Sequence, residues 1–91
     1  MEKNNNVSLL LELGMIDEEC QVFCDPSYDA AIVGASQNGC VVYDYNKMVK
    51  CLMDDDSMSE EDAMEFIDYN TIRTIPYMTT PPVILYPLEQ E

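Results

Sequence analysis

Histidine and tryptophan are both absent from the 91 residues of this chain. Because histidine is the usual general base near neutral pH, its absence removes His-assisted serine and cysteine nucleophiles. The chain also lacks the G-x-x-x-x-G-K-[ST] and G-x-G-x-x-G phosphate-binding motifs. The sequence therefore predicts a binding protein rather than an enzyme, with no cofactor.

Basic residues are scarce. Lys and Arg together number four and Asp and Glu together number eighteen, which gives a formal net charge of −14. Well-behaved small domains carry a net charge of about 2 to 8 in magnitude. A strongly negative field repels nucleic acid and anionic membranes and attracts basic protein surfaces. We therefore expect a basic protein surface as the partner, without direct nucleic-acid or membrane binding; the alternative is that the acidity serves only solubility.

Long hydrophobic runs are missing as well. The longest early apolar stretch, residues 7–13, is interrupted by Ser8 and Glu12 and is followed by no cleavage site typical of a signal peptide. It is also far shorter than a membrane-spanning helix. These features predict a soluble protein of the cytoplasm.

The four cysteines are expected to be reduced thiols in that compartment. Cys20 and Cys24 are separated by three residues, and Cys40 and Cys51 stand alone, so the paired C-x2-C spacing of zinc knuckles is lacking. We predict buried thiols and no metal site.

The clearest secondary-structure signal is a β-hairpin over residues 30–45. Asn38 and Gly39 separate two β-type runs, a sequence typical of a two-residue hairpin turn. Such a turn places Gly34 opposite Tyr43. Apolar residues on both faces predict that both sides of the hairpin are covered.

Helical periodicity begins where the hairpin ends. Apolar residues at helical spacing predict an amphipathic helix over residues 45–54, with Asp44 as its N-cap. A second helix is predicted over residues 59–69, where the Ser59 hydroxyl caps the first turn. Asn70 is predicted to end it in the left-handed conformation.

The ends of the chain give weaker signals. Residues 1–6 are polar and expected to be frayed, and residues 7–13 followed by a glycine predict a short helix. Residues 20–24 favour a short strand. Residues 83–86, with prolines on both sides, predict a short strand at a sheet edge.

Together these elements predict one α+β domain over residues 1–91. The hairpin of residues 30–45 and the strand of residues 83–86 would form a small antiparallel or mixed sheet. The helices of residues 45–54 and 59–69 would form a helical hairpin packed against that sheet.

Acidic residues concentrate on this helical hairpin, where few cations oppose them. On the second helix Glu61, Glu65 and Asp68 follow at i, i+4 and i+7, a carboxylate every ~5 Å at ~1.5 Å per residue. One strand of duplex DNA carries a phosphate every ~3.4 Å. The row formed by these three carboxylates therefore resembles a row of DNA phosphates, but with a wider spacing. An ordinary solvated helix face is the alternative. The predicted partner-binding residues are Asp54, Asp55, Asp56, Glu60, Glu61, Asp62, Glu65 and Asp68.

Two sequence patterns between Tyr28 and Tyr86 carry a family resemblance: VVYDY-x-KM and FIDYNTIR-x-x-PY. They resemble a group of small proteins of phages, prophages and mobile elements of gut-type Gram-positive bacteria, for which no reaction is assigned. The resemblance implies an anti-CRISPR-like inhibitor of a host nucleic-acid-binding or defence factor, acting by nucleic-acid mimicry. The alternatives are an assembly homodimer formed through a sheet edge, and a binder that sequesters a metal or cationic ligand.

Overall fold

The computed structural model describes residues 5–23 and 28–88 and contains, in this part, a three-stranded sheet and three α-helices. The fold is α+β, as predicted. In chain order its elements are α1 (Asn5–Glu12), a 3-10 turn (Asp29–Ala31), β1 (Ile32–Ala35), β2 (Val41–Asp44), α2 (Tyr45–Asp55), α3 (Glu60–Phe66), a π-helical turn (Ile67–Thr71), a 3-10 helix (Ile72–Tyr77) and β3 (Val83–Leu85).

The sheet is mixed, with β2 in the centre. β1 pairs with β2 antiparallel, and β3 pairs with β2 parallel, with Val42 opposite Val83 and Asp44 opposite Leu85. The C-terminal strand therefore lies at the predicted sheet edge, and it ends one residue earlier than predicted. Because β2 runs directly into α2, the sheet fixes where the helical hairpin starts.

The predicted hairpin register is wrong by one residue. Gly34 pairs with Val42, and the one-residue shift comes from the loop: the Ser36 N–H donates to the Cys40 carbonyl at 2.8 Å, so three residues, 37–39, make the turn. A further register shift between Ile32 and Gly34 places Tyr43 opposite Ile32. Three-residue hairpin loops end on a left-handed residue, here Gly39 at φ 84°.

The first helix ends at a glycine, as predicted. Gly14 has a φ of 73°, the Met15 N–H donates to the Leu10 carbonyl at 3.0 Å, and the Gly14 N–H donates to the Leu11 carbonyl at 3.1 Å. These two bonds form a Schellman motif. The helix carries Leu10, which is 6 % exposed, into the core.

The first helix starts earlier than predicted, whereas the expected fraying of residues 1–6 stays a prediction, since residues 1–4 lie outside the described part. The helix begins at Asn5, before residue 7. The Asn6 N–H donates to Asp29 Oδ1 at 3.1 Å, and the Asn6 side-chain amide donates to the Asp29 carbonyl at 2.9 Å. These bonds hold the first turn against the 3-10 turn that precedes β1.

The strand predicted over residues 20–24 is absent from its described part, residues 20–23; Cys24 lies outside it. The Gln21 N–H donates to the Thr80 carbonyl at 3.0 Å, and the Gln21 side chain accepts from the Thr80 N–H at 2.9 Å. Both bonds go to one residue of the loop before β3, so no strand ladder forms.

The helical hairpin begins as predicted. The Lys47 N–H donates to the Asp44 carboxylate at 3.1 Å, which caps α2, and the Asp62 N–H donates to the Ser59 hydroxyl at 3.1 Å, which caps α3. Asn70 does not end α3, because the chain continues through the π-helical turn. Thr71 in that turn is buried, and its hydroxyl bonds to the Tyr28 hydroxyl at 2.9 Å.

The core lies between the sheet and α2. Val41 and Tyr43 on one face of β2 and Met48 of α2 are all 0 % exposed. The other face of the hairpin is only partly covered, since Val42 is half-buried and Val33 is exposed. The expectation that both hairpin faces are covered is thus only partly met. No helix among the described residues is long and apolar enough to cross a membrane.

Candidate functional site

Seven of the eight predicted acidic residues lie on two helices that contact each other, α2 and α3, or on the connection between them, and Asp68 lies in the π-helical turn that follows α3. All of their side chains are exposed. No Lys or Arg of the described part forms an ion pair with any of them. The helical hairpin therefore presents its carboxylates to solvent without a cation in contact.

The sequence directs these carboxylates outward through the burial of the opposite side of α3. Ala63 and Ile67 are 0 % exposed, so Glu61 and Glu65 lie on the outer side of the helix. Glu60, Glu61 and Asp62 form the first turn, where the helix dipole favours negative charge. Carboxylates at this position stabilise the helix that carries them.

Asp68 departs from the predicted row. It lies beyond the end of α3, in the π-helical turn, where the α-helical spacing no longer applies. The Tyr45 hydroxyl donates a hydrogen bond to Asp68 Oδ1 at 3.3 Å. The α-helical row therefore consists of Glu61 and Glu65, and Asp68 also links the π-helical turn to the start of α2.

Burial and the contact with Asp68 change the pKa of the Tyr45 phenol. Its side chain is 8 % exposed, and burial, followed by the negative charge of Asp68 and the hydrogen bond to it, raises the pKa of Tyr45 from 10.0 to about 12. The folded protein thus holds the phenolic proton more tightly than the unfolded chain does.

The stability that Tyr45 confers is expected to vanish in strong alkali. Because its folded-state pKa lies above the unfolded value, this contribution is complete below about pH 10 and is lost as the pH rises to about 12. Between these values the wild type should lose about 2 kcal/mol more free energy of unfolding than Tyr45→Phe. Urea unfolding across this range measures it, with Tyr77→Phe, 90 % exposed in the wild type, as the control. Equal losses in wild type and Tyr45→Phe would contradict the assignment.

A groove of about 530 Å³ is lined by residues of α2 and α3, and of the eight acidic residues Glu60 contributes to its lining. Met53 and Met64 contribute to its lining and are 38 % and 40 % exposed. Lys47 and Lys50 of α2 also line it, so the hairpin is not free of cations. Sequence analysis missed the groove because it depends on how the two helices pack.

In the described part of the chain, no group of three Cys, Asp or Glu side chains is placed to hold a metal ion. Cys20, Cys40 and Cys51 are free thiols. Burial and, secondarily, the charges of Asp55 and Asp54 raise the pKa of the Cys51 thiol. Cys51 is therefore a weak nucleophile at neutral pH.

Comparison with known proteins gives no relative for this chain. No protein-family model, no curated protein and no solved structure is significantly similar to it.

Proposed function

We propose that this chain is an acidic interaction protein, encoded by a phage or mobile element, that inhibits a nucleic-acid-binding or defence factor of a bacterial host. Its helical hairpin occupies a basic groove that otherwise holds nucleic acid. It acts in the host cytoplasm by binding, without catalysis.

The observation that carries this proposal is the exposure of eight carboxylates on and just after the helical hairpin, where no Lys or Arg of residues 5–23 and 28–88 forms an ion pair with them. Glu61 and Glu65 are separated by about 6 Å along the helix axis at ~1.5 Å per residue, roughly twice the ~3.4 Å phosphate spacing of a DNA strand. A cationic groove adapted to phosphates can therefore contact both. Neutralising such a predominantly negative field on binding favours association and accelerates it.

The groove between the helices adds an apolar component to this surface. Met53 and Met64 lie among the charged residues, and interfaces commonly combine an apolar centre with a polar rim. Methionine adapts its shape to varied partner surfaces. The combination supports a protein partner over a small cation.

A second candidate function, assembly as a homodimer, is favoured by the sheet edge. Val83 and Leu85 of β3 are 39 % and 43 % exposed on an edge strand, and unpaired edges can pair with another chain. Repulsion between two chains of charge −14 opposes this pairing. Light scattering distinguishes the two: a monomer at low and high salt excludes the dimer.

Affinity capture from a lysate of a Gram-positive host tests the leading proposal. At low salt the immobilised chain is expected to retain a basic nucleic-acid-binding protein, which high salt or added duplex DNA releases. Chain with Glu61 and Glu65 changed to Lys serves as the control bait. Retention of the same protein by both baits, or its resistance to release by DNA, would count against nucleic-acid mimicry.

A further inference from the structure

Two exposed tyrosines lie close to Asp68, the acidic residue in the turn after α3. Tyr69 follows it in the π-helical turn and is 64 % exposed. Tyr86, directly after β3, is 61 % exposed, and its ring packs against the Tyr45 ring at a centroid distance of 5.0 Å. The Tyr45 hydroxyl donates to Asp68 Oδ1 at 3.3 Å, so a single side chain connects Tyr86 to this carboxylate. A negative charge therefore lies beside aromatic rings at the protein surface.

The Asp68 carboxylate can accept further hydrogen bonds. Its side chain is exposed, and a carboxylate offers about four acceptor positions, of which the Tyr45 hydroxyl uses one. The exposed tyrosines beside it distinguish this place from an ordinary solvated helix face, because tyrosine is enriched among the residues that contribute most to protein interfaces. The surface thus combines a site for a cation with aromatic area for contact.

The chain's single arginine indicates which cation suits these rings. The guanidinium carbon of Arg73 lies 5.9 Å from the centroid of the Tyr69 ring, and Tyr69 nevertheless remains largely exposed. A guanidinium group is planar, pairs with a carboxylate through two parallel hydrogen bonds and stacks on aromatic rings, whereas the ammonium group of lysine is a compact, strongly hydrated charge. An arginine can therefore use both the carboxylate and the rings, and a lysine uses mainly the charge.

We propose that Asp68, Tyr69 and Tyr86 form a recognition site for an arginine side chain of the basic partner. The inference rests on the proposed function, which supplies the basic surface, and it specifies that the surface is recognised through guanidinium groups in addition to charge. Arginine is also the residue that pairs bidentately with phosphates, so a groove that holds nucleic acid presents the side chain this site accepts. The guanidinium pairs with the Asp68 carboxylate and packs against the tyrosine rings.

Deca-arginine and deca-lysine, two peptides of equal charge, serve as probes for this site. Fluorescence anisotropy at fixed ionic strength measures the Kd of each peptide for the full chain. The wild type is expected to bind the arginine peptide about tenfold more tightly than the lysine peptide. Tyr69→Leu with Tyr86→Leu keeps apolar side chains but removes both rings, and the preference should fall to about twofold. Tyr77→Leu, which removes a tyrosine that is 90 % exposed, is the control and should keep the preference.

Equal affinity for the two peptides, or a preference that the double variant retains, overturns the arginine site and leaves the proposed binding to basic surfaces intact. Binding of neither peptide overturns both. If the double variant does not fold, nuclear Overhauser contacts in the wild-type complex are the second measurement, and they are expected between the arginine side chains of the peptide and the rings of Tyr69 and Tyr86. Contacts confined to other rings, or no contacts in a complex that forms, also overturn the site.

Discussion

Reversing Glu61, Glu65 and Asp68 together to lysine is expected to weaken binding to the basic partner by about two orders of magnitude or more. The change replaces three negative charges of the helical hairpin with three positive ones. Most of the loss should appear as slower association, with a smaller dependence of affinity on salt. Stopped-flow or surface-based kinetics at several salt concentrations measure both quantities.

Folding should survive this triple reversal. Exposed helix charges are each worth only tenths of a kcal/mol, and Glu61 and Glu65 are both exposed. Asp68→Lys also removes the acceptor of the Tyr45 hydroxyl, which adds a cost of about 1 kcal/mol. The Glu61→Lys, Glu65→Lys double variant avoids that cost and should still bind much more weakly.

A matched control variant distinguishes the effect of the helical hairpin on affinity from the effect of the net charge. Asp17, Glu18 and Glu19 are exposed acidic residues outside the hairpin, and changing all three to lysine alters the net charge by the same amount. This control should retain most of the affinity. Equal losses in the two triple variants would mean that binding responds to overall charge and not to the hairpin surface.

The substitution Val41→Asp is expected to unfold the domain. Val41 is 0 % exposed on the central strand, where an unpaired carboxylate costs several kcal/mol. The total stability of a domain of this size is ~5 to 10 kcal/mol. Circular dichroism at 25 °C should therefore lack the native spectrum, and urea should produce no cooperative transition.

Two neighbouring valines provide the controls for this prediction. Val33→Asp, at a position 45 % exposed, should cost less than about 1 kcal/mol, and Val42→Asp, at a half-buried position, should lie between the other two. A cooperative urea transition of wild-type midpoint in Val41→Asp would show that the core has been misidentified.

Several features that depend on residues close in sequence were predicted correctly. The caps at Asp44 and Ser59 each join a side chain to an N–H three residues later. The glycine that ends α1 acts through carbonyls of the preceding turn. Such contacts follow from local backbone geometry, so the start of both hairpin helices could be derived from sequence.

Features that depend on tertiary packing were not predicted from the sequence. The hairpin loop has three residues and accepts a hydrogen bond from the Asp17 N–H at Gly39. Asn70 lies within the π-helical turn, where the adjacent Thr71 bonds to Tyr28 in the core. The segment around Gln21 bonds to a loop residue 59 positions away. Sequence propensity carries no information about partners at that distance.

The candidate site also has some features that could be predicted from the sequence and others that could not. Exposed carboxylates could be predicted because charged side chains seldom lie fully buried without a partner. The bond between Tyr45 and Asp68 and the groove containing Met53 and Met64 could not, since they arise only when α2 and α3 pack together.

Competition with DNA for the captured partner tests the central claim most directly. A fluorescent duplex bound to that partner is titrated with this chain, and anisotropy reports the displaced DNA. Our account predicts complete displacement, with an apparent affinity that falls as salt rises and as Glu61 and Glu65 are reversed. Anisotropy that stays at the bound value, or rises because a ternary complex forms at saturating chain, would contradict it.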